Sequence, residues 1–167
     1  MFTQGDRVLY GAHGVCNVVC IEVRSVDRKK IEYYVLQPVD QPGARFYVPT
    51  QNQAAVAKLR PMITHQELEA ILQAEETGKD AWIEDENQRK QYYRDLLSGG
   101  DRGALVSMVH TLYRRRETQL AAGRKFHQCD ETFLKEAQKL LDSEFSLVLN
   151  IGQEEVRQYV QDAIEAR

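Results

Sequence analysis

FTQGDRVLYGAHGVCNVVCIE, residues Phe2 to Glu22, opens the chain with the pattern of a strand, a tight turn and a second strand. Gly5-Asp6 is a turn signal set directly before the apolar run Val8-Leu9-Tyr10, and Gly11 and Gly14 bracket a second reversal before Val15 to Ile21. Gly14, lacking a Cβ, can take the positive φ that such a reversal requires. In the second strand Val19, Ile21 and Val23 fall on one face and Cys20, Glu22 and Arg24 on the other. Register decides which set meets the core, and Arg24 is expected to point away from the aliphatic side.

The period of two continues downstream. Asp27-Arg28-Lys29-Lys30 reads as a charged turn, Ile31 to Leu36 as a third strand and Pro38 to Gly43 as a loop. Ala44 to Val48 reads as a fourth strand, with Ala44, Phe46 and Val48 on one face and Arg45 and Tyr47 on the other. Several short strands within ~60 residues predict a small barrel or rolled sheet, an arrangement that limits exposed edges. Gln51 to Lys58 is Ala-rich enough for one helical turn or two. Arg60-Pro61 then punctuates a border near Met62, because proline disfavours helix in the residue before it.

From Thr64 the period becomes 3.6. Thr64 and Glu67 form a capping box, Leu68, Ile71 and Leu72 form the apolar face behind it, and Gly78 is the expected stop. A second helix is expected over Asp85 to Leu97, burying Tyr92, Tyr93, Leu96 and Leu97. A third, capped by Asp101, carries Leu105, Val109 and Leu112 and ends near Ala121 before Gly123. Asp130 is read as the cap of a fourth, whose stripe runs through Phe133, Leu134, Ala137, Leu140, Leu141 and Phe145, and a fifth spans Glu154 to Ile164. The expected architecture is α+β in two domains, a small rolled sheet over residues 1–62 and an all-α helical bundle over residues 63–167.

Phe2, Gly5-Asp6, Val8-Leu9-Tyr10 and His13-Gly14 stand in the order in which they open the CarD/CdnL-type transcription regulators, which this chain resembles. The resemblance continues through Ile21-Glu22, Glu32 to Leu36 and Val48-Pro49, and more loosely through the helices. It implies a Tudor-like β-roll that docks on the β subunit of bacterial RNA polymerase. It also implies a helical domain that modulates the stability of the open promoter complex through weak contact with promoter DNA that does not read sequence.

Composition agrees with a soluble globular protein, at 43% hydrophobic and 28% charged residues, and no run approaches the ~18 apolar residues that span a membrane. The N-terminus has neither the basic region nor the apolar core of a secretory signal, so a cytoplasmic location is expected. On one strand Cys16 and Cys20 would lie roughly 13 Å apart at ~3.3 Å per residue, beyond the ~4.4 to 6.8 Å of a disulfide. Reduced thiols follow, and no further ligands stand at the short spacing of a zinc site. No metal, cofactor or small-molecule substrate is expected. The net charge of -3 divides unevenly: residues 1–62 carry eight Lys/Arg against five Asp/Glu, and residues 63–167 fourteen against twenty.

The four histidines are scattered, and no phosphate-binding glycine loop, His-Glu-x-x-His motif or nucleophile elbow occurs, so no catalytic residue is assigned and an enzyme is not expected. Trp82, the single tryptophan, lies between helical segments. There an indole either staples two helices or wedges beside a base step. The resemblance favours the wedge, since family members carry a Trp at this point, proposed to hold the upstream edge of the transcription bubble. Many of them follow it closely with basic residues, whereas Trp82 is followed by Ile83-Glu84-Asp85-Glu86, carboxylates that repel phosphate.

Arg114-Arg115-Arg116 is the densest basic run of the bundle. It either solvates a helix face or, with Arg89, Lys90 and Arg94, follows a DNA backbone. In the sheet domain Arg24 and Arg45 are either solvated strand charges or part of a polymerase-binding face. The resemblance places Arg24 on a basic position of that face, and Tyr47 on a second position that is basic in some members. A rival from another class is a protein-interaction adaptor whose acidic bundle never touches DNA.

Overall fold

Gly14, at φ +78°, ends a single turn of 3-10 helix over Gly11–His13 and sends the chain back on itself. In the computed structural model, which describes residues 1–75, 81–99 and 101–166, β1 (Arg7–Tyr10) therefore pairs antiparallel with β2 (Val15–Val26). Asp27 and Arg28, at φ +50° and +66°, make a two-residue reversal into β3 (Lys29–Pro38). Left-handed backbone at both central positions matches the right-handed twist of the flanking strands. β4 (Phe46–Pro49), a short helix α1 (Gln53–Val56) capped by the Asn52 side chain, and β5 (Leu59–Pro61) complete the unit Met1–Met62. The strand order is β4-β3-β2-β1-β5, antiparallel throughout.

Register in this sheet departs from simple alternation at one place. Between Val18 and Cys20 the β2–β3 pairing shifts and passes over Val19. A bulge of this kind changes parity. Cys16 and Val18 before it, and Ile21 and Val23 after it, thereby share the face that holds Tyr34, Leu36 and Val48. Val8, Cys16, Val18, Leu36 and Val48 form the buried core, whereas Ile21 is 43% and Val23 58% exposed. The aliphatic set Val19, Ile21 and Val23 is thus not the core set. Arg24 does lie on the opposite face, across from Ile31. β5 is a further difference: three residues are too few to show alternation, and their strand geometry comes from pairing with β1.

The unit Ile63–Arg167 is helical: α2 (His65–Ala74), α3 (Glu86–Leu97), α4 (Arg102–Ala121), α5 (Gln128–Leu149) and α6 (Gln153–Glu165). The Thr64–Glu67 capping box is present in both directions, and Asp85 and Asp101 cap α3 and α4 by accepting from Gln88 N and Ala104 N. α2 ends at Ala74 before an extended Glu75, and the expected stop at Gly78 lies outside the described residues. Leu68, Leu72, Leu112, Leu134, Ala137 and Phe145 are buried at the centre. The chain is α+β, a Tudor-like sheet domain followed by a helical domain.

Two expectations for the helices are corrected. Tyr92 is exposed while Tyr93, Leu96 and Leu97 are buried, since the successive tyrosines sit ~100° apart around α3 and only one can face the core. Asp130 is not a cap: α5 begins at Gln128 behind His127, which places Asp130 inside the first turn and 2% exposed. A second buried carboxylate on α5, Glu144, accepts from Arg102 Nε and Nη2, both at 3.2 Å, and from the Ile63 amide at 3.0 Å. α5 thus anchors the start of α4 and the first residue of the bundle through one side chain.

Candidate functional site

Trp82 lies half-buried in the extended segment before α3. The guanidinium carbon of Arg89, one turn into that helix, stands 4.2 Å from the indole ring centre, and that of Arg115 on α4 stands 4.8 Å away. A cation over an indole is attracted by the ring quadrupole, by ~0.5 to 1 kcal/mol at exposed sites and ~2 or more where water is excluded. Arg89 is of the second kind, at 5% exposure.

Four acceptors hold the Arg89 guanidinium. Nε and Nη2 donate to the two carboxylate oxygens of Asp130 at 3.0 and 3.1 Å, and Nη1 donates to the carbonyls of Ile83 and Glu84 at 3.0 and 3.4 Å. Those carbonyls belong to the two residues that follow Trp82. The group that faces the indole therefore also fixes the backbone leaving it. Arg89 belongs to the packing beneath the indole, and its burial removes it from the exposed basic surface that the sequence suggested.

The acidic run after Trp82 is taken up locally. Glu84, itself highly exposed, lies 3.9 Å from Arg115 Nη2. Asp85 is the cap of α3. Glu86 pairs with Lys90 at 3.1 Å, and the hydrogen bond from that ammonium holds the Glu86 carboxyl below its ordinary value.

The arginine run on α4 disperses, because adjacent residues on a helix diverge by ~100°. Arg114 lines a cavity of about 260 Å³ between α4, α5 and α6, together with His110, Tyr113 and Arg157, the last of which lies 3.7 Å over the Tyr113 ring. Arg115 goes to Trp82, and Arg116 pairs with Glu131 at 3.1 Å. The structure brings Trp82, Arg89 and Arg115 together and leaves Arg114 outside that group. Asp130 and Glu84, which complete it, are not legible in sequence, where Asp130 resembles a cap and Glu84 is one of three carboxylates that repel phosphate.

In the sheet domain the face opposite the core carries Glu22 and Arg24 on β2, Tyr33 on β3 and Tyr47 on β4. Arg24 lies over the Tyr47 ring at 4.2 Å, donates to its hydroxyl at 3.1 Å and pairs with Glu22 at 3.4 Å. Tyr33 meets Tyr47 edge-on at 6.2 Å. Arg45, one residue before β4, is also exposed, and its guanidinium donates to the carbonyls of Pro42 and Ala44. The result is a plate of two aromatic rings and a stacked cation, in which Arg24 and Tyr47 are exposed and Tyr33 is partly buried.

His13 stacks against Phe46 at 4.4 Å and Tyr10 at 5.1 Å. Burial pushes the Cys16 thiol up to about 11. Among the described residues no group of three or more His, Cys, Asp or Glu is placed to hold a metal ion, and no helix is long and apolar enough to cross a membrane.

Comparison with protein families matches both units. Residues 2–63 match the family model described as the CarD-like/TRCF RID domain, and residues 67–161 match that described as the CarD C-terminal domain. Proteins built from these domains are non-enzymatic regulators. With both domains present in order, the chain belongs to the CarD/CdnL-type family of RNA polymerase-interacting transcription regulators.

Proposed function

We propose that residues 1–62 dock on the β subunit of bacterial RNA polymerase through the face bearing Arg24 and Tyr47, with Arg45 at its border, and that residues 63–167 stabilise the open promoter complex through Trp82. The observation that carries this reading is the partly buried indole gripped by Arg89 and Arg115. An aromatic wedge acts only where bases are already parted, so it binds open promoter better than closed and shifts the population by no more than that difference. Base–aromatic stacking of ~1 to 3 kcal/mol corresponds to roughly 5- to 150-fold in complex lifetime. Weak, sequence-independent DNA contact suffices, because tethering to polymerase raises the local concentration. Arg115, Lys90 and Arg114 are the proposed phosphate-side cations, acting in the bacterial cytoplasm where polymerase and promoter meet.

Trp82→Ala tests the proposal. The expected result is a shortened open-complex lifetime with polymerase binding retained, in a variant whose circular dichroism shows an intact bundle. A second reading, an adaptor whose bundle does not touch DNA, draws on the excess of acidic residues over 63–167 and on the pairing of Lys90 with Glu86 and Arg115 with Glu84. A wild-type lifetime in folded Trp82→Ala protein leaves the adaptor standing.

A further inference from the structure

We infer that the buried Arg89–Asp130 pair is the positioning device for Trp82, two residues that touch no nucleic acid themselves and act by holding the indole at one angle. The inference rests on the reading of Trp82 as the promoter-side group. As a fastening between helices alone, an ion pair is a poor choice, since well-packed apolar side chains of similar volume generally serve as well or better. This pair does something an apolar replacement does not. It presents a planar cation 4.2 Å from the indole ring centre, and its remaining donor engages the carbonyls of Ile83 and Glu84 directly after Trp82.

The chemistry explains why arginine and aspartate stand there. A guanidinium is a flat fork that donates in several directions while stacking on an aromatic face, and an ammonium offers neither the plane nor the fork. Asp130, 2% exposed, accepts both Nε and Nη2 and so sets the plane of the fork. Ring, backbone and helix α5 are thereby linked through one side chain. An indole ordered in advance loses less freedom when it meets a base step, which is how a supporting shell improves a binding group that it never replaces.

Trp82 is the single tryptophan, so its fluorescence reports on this site alone. The test uses the full chain with Arg89→Met and Asp130→Leu combined, which removes both charges and leaves neither buried without its partner. Arg89→Lys is the companion variant, keeping the charge beside Asp130 and losing the plane. Expected in both is an intact helical spectrum, a rise of at least about twofold in acrylamide quenching of Trp82, and a fall of at least about threefold in open-complex lifetime. Should the double variant fail to fold, Arg89→Lys is read by the same criteria. Wild-type quenching in a folded variant overturns the inference. So does raised quenching with a wild-type lifetime when Trp82→Ala shortens that lifetime. If Trp82→Ala itself leaves the lifetime unchanged, the promoter reading falls, and quenching alone decides whether the pair positions the ring.

Discussion

Asp130→Ala isolates the energetics of the Arg89 site. The substitution removes the acceptors of two charge-assisted hydrogen bonds, at 3.0 and 3.1 Å, and leaves a guanidinium that is 5% exposed with the Trp82 ring and, as hydrogen-bond acceptors among the described residues, the carbonyls of Ile83 and Glu84. Breaking a buried pair from one side costs ~3 to 5 kcal/mol, most of it the penalty of a buried charge without its counterion. For a domain of roughly 100 residues each kcal/mol moves the midpoint by ~4 to 8 °C, so a loss of at least ~12 °C is expected. Thermal unfolding of the full chain, followed at the far-ultraviolet helical signal, reads the bundle because α2 to α6 all lie within it. Glu131→Ala is the internal control. Its pair with Arg116 is 30% and 22% exposed, and solvent screening limits such pairs to ~0 to 1 kcal/mol. If Asp130→Ala melts within ~3 °C of the wild type, the pair is not held out of water as argued.

Three further outcomes follow from the same geometry. Arg24→Glu with Arg45→Glu should weaken binding to the polymerase β subunit at least roughly tenfold with an unchanged melting midpoint, since both side chains are exposed; calorimetric titration with unaltered affinity refutes it. Burial, with the Asp130 carboxylate adding to it, pushes the Tyr93 phenol from 10.0 to about 12, so the folded bundle holds that proton more tightly than the unfolded chain does. Its contribution is intact below about pH 10 and lost as pH rises towards 12. Tyr93→Phe should flatten this alkaline limb, to which Tyr113, also raised by burial, contributes, in urea denaturation measured from pH 8 upward. It should also raise stability near neutrality by ~1 kcal/mol or more, because the buried hydroxyl has no hydrogen-bond partner among the described residues. Glu84→Gln takes a carboxylate from beside Arg115 and should tighten promoter binding by up to about fivefold at low salt, the gain shrinking above ~0.15 M where the screening length is ~8 Å; a salt-independent affinity would contradict this.

The elements of this protein were largely determined by sequence alone, because their signals are local. Glycine at positions 11 and 14 dictates a reversal, alternation over Ile31 to Leu36 dictates a strand, and Thr64-x-x-Glu67 dictates a helix start, each through interactions within a few residues. The family was legible for the same reason, its opening motif being the motif of that first hairpin. Lone residues whose meaning depends on distant partners were left to the tertiary structure. Asp130 carries the local mark of a cap and became the counterion of a residue 41 positions away. Arg89 reads in sequence as one of the cations that follow a DNA backbone, yet it is buried between that carboxylate and an indole. The bulge at Val19 took that residue out of the pairing and put Ile21 and Val23 on the face of Cys16 and Val18, because parity along a strand is settled by its partner's hydrogen bonds. Charges and aromatic rings interact with whatever folding brings near them, and a one-dimensional pattern holds no record of which neighbour that is.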